Sequence, residues 1–304
     1  MKKLTGIAIV LVLCAGLLYG CGAAGVTDTK KDYSRGGDTI SGKVENLDID
    51  WTAGSVTVAY HAEDTVILSE SADREIPDDE KLLWKLDGTT LKVEYHKTEL
   101  FKITTLAKNL TITLPENTRL NKAEIRATSA DLKIPSLRAE EAILETTSGN
   151  TDAAVEAKNV KASSTSGDVV LKLTGKQDSV DLGGTSGDLR LNAEEVMKAK
   201  AHSTSGSITV EAKVFGSITA ESTSGNVSAK AGSFMEMKLG ATSGSVDAAL
   251  PVTPGFAGTI STAGGEVSSR IPLEKNGSNY TCGDGSGKLT IGTTSGNVTL
   301  TLLE

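Results

Sequence analysis

The sequence predicts an all-β protein built as a parallel β-helix, or β-solenoid, and three observations lead to this fold class. The tripeptide Thr-Ser-Gly recurs at intervals of 18 to 20 residues, apolar and polar side chains alternate on both sides of it, and aromatic residues make up only 4% of the chain. A segment of this length cannot bury an apolar face alone and must stack on its neighbours. We therefore expect coils of about 19 residues, each forming one turn of a solenoid.

Each tripeptide is expected to mark a corner between two strands. The residue after the glycine is always Asn, Asp or Ser, residues that bond to backbone groups in turns, while glycine tolerates positive φ. Degenerate copies lie at Thr128-Ser129-Ala130, at Thr262-Ala263-Gly264 and, as a possible first coil, at Thr52-Ala53-Gly54. The predicted turn glycines are Gly149, Gly167, Gly187, Gly206, Gly225, Gly244 and Gly296.

The alternation assigns side chains to the inside and the outside of each coil. Val160, Ala162, Ser164 and Ser166 would face inward before one corner, and Val169, Leu171 and Leu173 after it. Like strands of successive coils would pair in parallel. The segments between coils contain apolar pairs that we expect to fill the widest corner of the interior; these are Val196-Met197, Val214-Phe215 and Phe234-Met235.

The N-terminus has the features of an export signal. Two lysines precede an apolar run from Ile7 to Leu18, which is short for a membrane-spanning helix. Leu18-Tyr19-Gly20-Cys21 resembles the lipobox of bacterial lipoproteins, although Tyr19 is unusual there. We predict a lipoprotein signal peptide over residues 1–20, lipidation (palmitate) at Cys21 and a flexible tether over residues 21–38. The alternative is an ordinary secretory signal that contains Cys14 and Cys21.

Composition excludes several classes of function. The net charge of −8 argues against a nucleic-acid partner, and signal cleavage would remove two more lysines. With Cys21 lipidated, Cys282 would have no intramolecular mate, so no disulfide framework is expected. The protein is expected to be extracytoplasmic and held at the bacterial cell membrane by its lipid.

The section over residues 39–136 is predicted to be an irregular β cap, and residues 137–304 the repeat solenoid. Short alternating strands such as Leu110-Thr111-Ile112-Thr113-Leu114 are interrupted by Gly, Asp and Pro, which fits capping coils or a small antiparallel section. Residues 78–83 could form a brief helix. Terminal units of solenoids are atypical because they shield the end of the core from water.

The chain resembles a known family over residues 39–303. The stretch Val44-Glu45-Asn46-Leu47-Asp48-Ile49, the strand ending in Leu114-Pro115 and the serial Thr-Ser-Gly-Asp/Asn units are similar to those of DUF4097 β-repeat proteins. The resemblance implies a right-handed parallel β-helix on an envelope protein connected with adhesion or envelope stress. It supplies no catalytic motif. The chain departs from the pattern between Thr262 and Thr294, which leaves the number of coils near the C-terminus open.

The side chains that are capable of catalysis or metal binding do not form a persuasive catalytic or metal site in the sequence. His61, His96 and His202 lack metal-ligand spacing, so surface positions are expected for them. Asp168 and Asp188 share a corner column, where a turn role is favoured over a carboxylate pair. The repeat serines have no accompanying histidine. No cofactor, metal or catalytic residue is predicted.

Three further motifs are interpreted structurally. Gly283-Asp284-Gly285-Ser286-Gly287-Lys288 lacks the first glycine and the Ser or Thr of a phosphate loop and is expected to be a surface turn. The spacing of the aspartates does not match calcium-binding β-rolls. The outward threonines form one regular column, whereas ice-binding solenoids carry two.

Two functions follow as hypotheses. The first is a non-catalytic, lipid-anchored envelope protein whose solenoid surface serves adhesion, scaffolding or envelope sensing, with an envelope protein or a glycan as partner. The second is an enzyme acting on polysaccharide on a β-helix scaffold. A cluster of two or three carboxylates with a basic residue on one exposed face would favour the second.

Overall fold

The computed structural model describes residues 32–96 and 106–303, in which the regular secondary structure is β-strand apart from one 3₁₀ turn at Asp78–Glu80. The predicted brief helix is thus reduced to that turn. No helix within the described residues has the length and apolarity needed to cross a membrane. The strands are β1 Ser34–Arg35, β2 Asp38–Ile40, β3 Asn46–His61, β4 Val66–Ala72, β5 Leu83–Asp87, β6 Thr90–Glu94, β7 Lys108–Pro115, β8 Leu120–Thr146, β9 Thr151–Glu156, β10 Asn159–Ser164, β11 Val169–Leu173, β12 Lys176–Gly184, β13 Leu189–Ser203, β14 Ile208–Ser222, β15 Val227–Ala241, β16 Val246–Leu250, β17 Phe256–Thr262, β18 Val267–Ser269, β19 Glu274–Asn276, β20 Asn279–Cys282, β21 Gly287–Thr293 and β22 Val298–Leu302.

Successive coils stack through parallel strand pairs, which confirms the predicted β-solenoid class. In the centre of the repeat, β13 pairs with β14 and β14 pairs with β15, in parallel. Ile208 lies opposite Leu189 on one side and Val227 on the other, a register of 19 residues in both cases. Like side chains therefore form columns that run through the stack.

Inward columns form one continuous apolar core. Ala201 and Ala220 are fully buried in one column, and Val210 and Ala229 in another. The many alanines keep the interior narrow. Because the columns are closely packed, a larger inward side chain would push neighbouring coils apart.

The corner that we expected the apolar pairs to fill differs from the prediction in one respect. Only one member of each apolar pair enters the interior: Val196, Phe215 and Phe234 are buried in one column. Their neighbours Met197 and Met235 remain 40% and 72% exposed. Adjacent residues of an extended strand point to opposite sides, so both members cannot face inward.

Coils at the N-terminal end are not stacked in chain order. β3 lies between β8 on one side and β6 and β7 on the other, all in parallel. Ala53-Gly54 lies opposite Ser129-Ala130, so the degenerate copy at Thr52 is a true corner of the stack. Beyond β6 and β7, strands β5 and β4 pair antiparallel, and β1 and β2 pair antiparallel to those. An antiparallel cap therefore closes this end.

At the C-terminal end, too, the coils are not stacked in chain order. β21 and β22, the last strands of the chain, lie between β15 and β16 on one side and β17 and β18 on the other. The antiparallel pair β19 and β20 then covers the outer edge of β17. The irregular stretch between Thr262 and Thr294 thus holds the second strand of the terminal coil (β18), its cap (β19 and β20) and the returning strand β21.

Two expected boundaries fall elsewhere in the structure. The boundary at 136/137 lies inside β8, which belongs to the same continuous sheet as its neighbours on both sides. The tether expected up to residue 38 ends earlier, because Ser34 and Arg35 pair with Trp84 and Leu83. The tether residues before Asp32, the signal peptide and Cys21 lie outside the described residues.

Candidate functional surface

The Thr-Ser-Gly units form a regular ridge along one corner of the stack. In each of the seven units the threonine and serine side chains are exposed, and six of the seven glycines are buried, Gly296 being half-buried. The serine N–H donates to the threonine carbonyl of the preceding coil, as from Ser205 to Thr185 at 2.7 Å and from Ser224 to Thr204 at 2.9 Å. We call these exposed threonine and serine pairs the corner ridge; they are residues 147–148, 165–166, 185–186, 204–205, 223–224, 242–243 and 294–295.

The corner differs from the sequence expectation in which residues face inward. The serine of the tripeptide, such as Ser166, is exposed and not inward, whereas Ser164, three positions before the glycine, is buried as predicted. None of the seven repeat glycines has a positive φ. Glycine is required because a Cβ on Gly206 would lie 1.8 Å from the carbonyl oxygen of Gly187 in the preceding coil. Close approach of two backbones, rather than left-handed geometry, explains the repeat.

Buried hydroxyls support the corner from within. Ser222 Oγ accepts a hydrogen bond from Gly225 N–H at 2.9 Å and donates to Gly206 O at 2.9 Å. Ser203 and Ser164 accept equivalent bonds from Gly206 and Gly167. These hydroxyls satisfy backbone groups that would otherwise be buried without partners.

Replacing Ser222 by alanine is expected to lower the free energy of unfolding by about 1–3 kcal/mol, because Gly225 N–H and Gly206 O lose their buried partner. Chemical denaturation of the purified protein measures the change. The matched control is Ser224→Ala on the exposed corner ridge, for which a change within about 0.5 kcal/mol is expected. Equal effects of the two substitutions would contradict the role of the inner hydroxyl.

The position after the glycine forms a second ladder of hydrogen bonds. Asp168 Oδ1 accepts from Asp188 N–H at 2.9 Å, and Asp188 Oδ1 accepts from Ser207 N–H at 2.9 Å. Asn150 and Asn226 do the same for the coils that follow them. These side chains bond to the next coil rather than to their own turn. Asp168 and Asp188 therefore hold adjacent corners together.

A cluster of three carboxylates surrounds Arg126. Its guanidinium bonds to Asp48 at 2.7 Å, to Asp50 at 2.8 Å and to Glu124. This is the kind of cluster that a polysaccharide-cleaving enzyme would need, and the sequence did not reveal it because Asp48 and Arg126 are far apart in the chain. However, the hydrogen bond from Lys122 and the charge of Arg126 lower the pKa of Glu124. A glycosidase acid requires a raised pKa, so Glu124 is poorly suited to that role.

The other candidate residues lie apart from one another. His61 Nε2 is 2.6 Å from Thr65 O, and exposed His202 lies 4.0 Å from Asp181. Within the described residues, no three His, Cys, Asp or Glu side chains are grouped as metal ligands. Cys282 is buried, and burial raises the pKa of its thiol. Asp284 accepts from Gly255 N–H and Ser286 N–H, so the glycine-rich stretch is a turn.

A buried lysine is the feature that the sequence analysis missed. Lys108 is fully buried in the N-terminal cap, where its Nζ donates to Glu80 O at 2.7 Å and lies 3.2 Å from Glu70 Oε2. The ring centroids of Tyr95 and Trp51 lie 4.2 Å and 5.4 Å from the same nitrogen. The sequence did contain a sign of this burial, because Lys108 continues the inward alternation of Leu110, Ile112 and Leu114.

Two open grooves also lie in the N-terminal section. The larger, of about 860 Å³, runs along β4 and is lined by Arg35, Ser69, Ser71, Arg74 and Lys81 among others. The second, of about 520 Å³, lies beside residues 41–45 and 117–119. Both are open to solvent, and no histidine or cysteine lines either of them.

Comparisons with known proteins agree with this architecture. The family model described as Toastrack DUF4097 matches residues 44–301. A candidate lipid-binding protein of Parabacteroides distasonis ATCC 8503 has a similar solved structure, with a TM-score of 0.50, 15% identity and coverage of 87% of this chain and 96% of that one. This likeness is one of fold.

Two further solved structures resemble the chain more distantly. A candidate adhesin of Parabacteroides distasonis ATCC 8503 has a TM-score of 0.39 and 11% identity, covering 88% of this chain and 98% of its own. A candidate adhesin of Bacteroides fragilis NCTC 9343 has a TM-score of 0.37 and 13% identity, with coverage of 87% and 95%. A comparison with curated proteins gives no match.

Proposed function

The chain belongs to the Toastrack DUF4097 family, and from that membership we propose that it is a non-catalytic envelope protein that uses its β-solenoid surface for adhesion. A lipid on Cys21 holds it at the outer side of the bacterial membrane. The corner ridge is the adhesive surface, and its ligand is a polar polymer such as a glycan. The observation that carries the proposal is the ridge itself.

The geometry of the corner ridge suits repeated, weak hydrogen bonding. Parallel stacking repeats each hydroxyl pair at about 4.8 Å, in two adjacent columns of threonine and serine. The backbone groups behind them are already bonded between coils, so the side-chain hydroxyls are the groups presented to a ligand. Each hydroxyl both donates and accepts, which matches the hydroxyls of a sugar. Many such contacts along one ligand would add up through multivalency.

Charge along the strand faces is largely paired and therefore contributes little attraction. Lys213 bonds to Glu194, Lys238 to Glu221 and Lys288 to Glu236, each pair joining neighbouring coils. Exposed pairs of this kind contribute little to stability. The uncharged corner ridge is the surface that differs from its surroundings.

The lipid anchor is tested by metabolic labelling. The wild-type protein is expected to incorporate labelled palmitate and to sediment with membranes, and Cys21→Ala is expected to lose both properties. Cys14→Ala is the matched control, because it removes a cysteine from the signal peptide and should keep both. Membrane partitioning of Cys21→Ala equal to that of the wild type would contradict the anchor.

The adhesive surface is tested with residues 22–304, produced without the signal peptide and Cys21, on a glycan array and on isolated cell-envelope fractions. In that background, Thr204→Val with Thr223→Val should weaken binding, because two adjacent ridge hydroxyls are lost. The control is Thr209→Val with Thr219→Val, which removes two threonine hydroxyls from the strand faces instead. Equal binding of the two double variants would contradict the ridge, and turnover of any polysaccharide would favour the enzymatic alternative.

A further inference from the structure

The last coil of the chain, residues 287–303, occupies an internal position in the stack. Its strand β21 pairs in parallel with β15 on one side and with β17 on the other. Its strand β22 is likewise held between β16 and β18. Leu289, Ile291, Val298 and Leu300 are all buried. We call residues 287–303 the inserted coil.

The two neighbours of the inserted coil form a slot of one coil's width. One wall is residues 236–250 and the other is residues 256–269. The chain passes from the first wall to the second through residues 251–255 and skips one coil position. Without an occupant, both walls would expose unpaired backbone groups and apolar side chains, which is unstable in water.

The corner contacts in the slot follow the repeat pattern. Ser295 N–H donates to Thr242 O at 3.0 Å on one wall, and Asn297 Oδ1 accepts from Glu266 N–H at 3.0 Å on the other. Thr293 Oγ1 donates to Gly244 O, and Thr262 Oγ1 donates to Gly296 O, both at 2.7 Å. Any chain that carries the same coil can make the same bonds.

The inserted coil is joined to the rest of the chain by a short glycine-rich connection. Gly283 and Gly285 both have positive φ, and Asp284 Oδ1 and Ser286 Oγ bond to the backbone of Gly255. This connection carries the chain from β20, outside the terminal coil, back to β21 inside it. The glycine-rich motif is thus the hinge through which the inserted coil reaches its slot.

We propose that the inserted coil is exchangeable and that the slot of one molecule accepts residues 287–303 of a second copy of this chain. Exchange of an identical element preserves every bond within the slot and changes only the path of the hinge, which makes it a low-cost route to a dimer. The partner is recognised by parallel backbone pairing and by the Thr-Ser-Gly corner. This self-association is independent of the proposed adhesive function.

The test uses cysteines that can meet only across two chains. Lys238 on the slot wall lies opposite Thr290 of the inserted coil. Neighbouring parallel strands are about 4.8 Å apart, which is within the Cα separation that a disulfide allows. Full-length Lys238→Cys and Thr290→Cys chains are expressed together, and a disulfide-linked dimer between them is the expected result, identified by peptide mapping.

Three controls make the result specific. Each variant alone should give no such dimer, since its cysteines have no mate in the slot. A chain with both substitutions should form an intramolecular disulfide, which shows that the geometry permits the bond. Lys238→Cys with Thr259→Cys should not cross-link, because Thr259 lies two coils from Lys238, about 10 Å away.

Absence of the mixed dimer, with the doubly substituted chain cross-linked, would overturn the proposal. If the cysteine variants fail to fold, sedimentation of the wild-type chain after refolding over a range of concentrations replaces them. A dimer that forms on refolding and separates only after unfolding supports exchange. A monomer at every concentration refutes it.

Discussion

Gly206→Ala is expected to lower the free energy of unfolding by about 3 kcal/mol or more, at the upper end of the range for overpacking. The new Cβ would lie 1.8 Å from Gly187 O and 2.6 Å from Gly187 C, both backbone atoms. Backbone atoms cannot rotate away, so the two coils must separate at the corner. That separation would also stretch the bond from Ser205 N–H to Thr185 O. Thermal and chemical denaturation of the purified variant measure the loss.

Gly240→Ala is the matched control within the same repeat. A Cβ there would be in ordinary van der Waals contact with the Glu221 side chain at 3.5 Å and with Gly292 O at 3.9 Å, and Gly240 has no positive φ. Alanine has less freedom than glycine in the unfolded chain, so this variant is expected to be as stable as the wild type or slightly more stable. A Gly206→Ala protein as stable as Gly240→Ala would refute the close-approach explanation of the repeat.

Lys108→Met is expected to lower the free energy of unfolding by about 3–5 kcal/mol, because it leaves the Glu70 carboxylate buried without its cation. Glu80 O and His96 O would also lose the donor at 2.7 Å and 3.3 Å. The cap that closes the N-terminal end of the core would open first. Chemical denaturation, followed by the fluorescence of Trp51 beside the lysine, measures this change.

Lys213→Met is the control for the loss of a lysine, because Lys213 is exposed and pairs with exposed Glu194. We expect a change within about 0.5 kcal/mol for it. Adding Glu70→Gln to Lys108→Met should restore part of the stability, because the unpaired buried charge is removed while Leu82 N–H keeps an acceptor. Lys108→Met as stable as Lys213→Met would contradict a structural role for the buried ion pair.

The buried lysine also predicts a pH dependence. Burial lowers the pKa of Lys108 below its ordinary value of 10.5, so the unfolded chain binds the proton more tightly than the folded chain does. Stability therefore rises with pH between the folded and the unfolded pKa of this group. The difference in unfolding free energy between the wild type and Lys108→Met should shift in favour of the wild type as the pH approaches 10.5.

Much of the repeat and of the corner ridge could be predicted from the sequence. The interval between glycines predicted the length of one coil. The alternation of residues such as Val210 and Glu211 predicted which side chains of each strand face inward and which face solvent. These are local properties, because a strand places successive side chains on opposite faces whatever it pairs with. The outward position of the tripeptide serine was missed because the chain bends there and the alternation shifts.

Residues far apart in the chain carried the information that was missed. The cluster of Arg126 with Asp48 and Asp50 depends on β3 pairing with β8, and the burial of Lys108 depends on β4 covering β7. The local sequence pattern predicts neither of these strand pairings; it indicates only the inward position of Lys108. The reason for the repeat glycines was likewise a contact with another coil, not a local backbone angle.

By itself, the sequence determined the form of one coil and the fact that coils stack, because burial of an alternating apolar face leaves a strand of this length no other solution. Only the tertiary structure decided the order of the coils at both ends. Every coil presents nearly the same edge of backbone groups and the same corner, so local chemistry does not distinguish β17 from β21 as the neighbour of β15. The lengths of the connections and the antiparallel strands that cap each end make that choice.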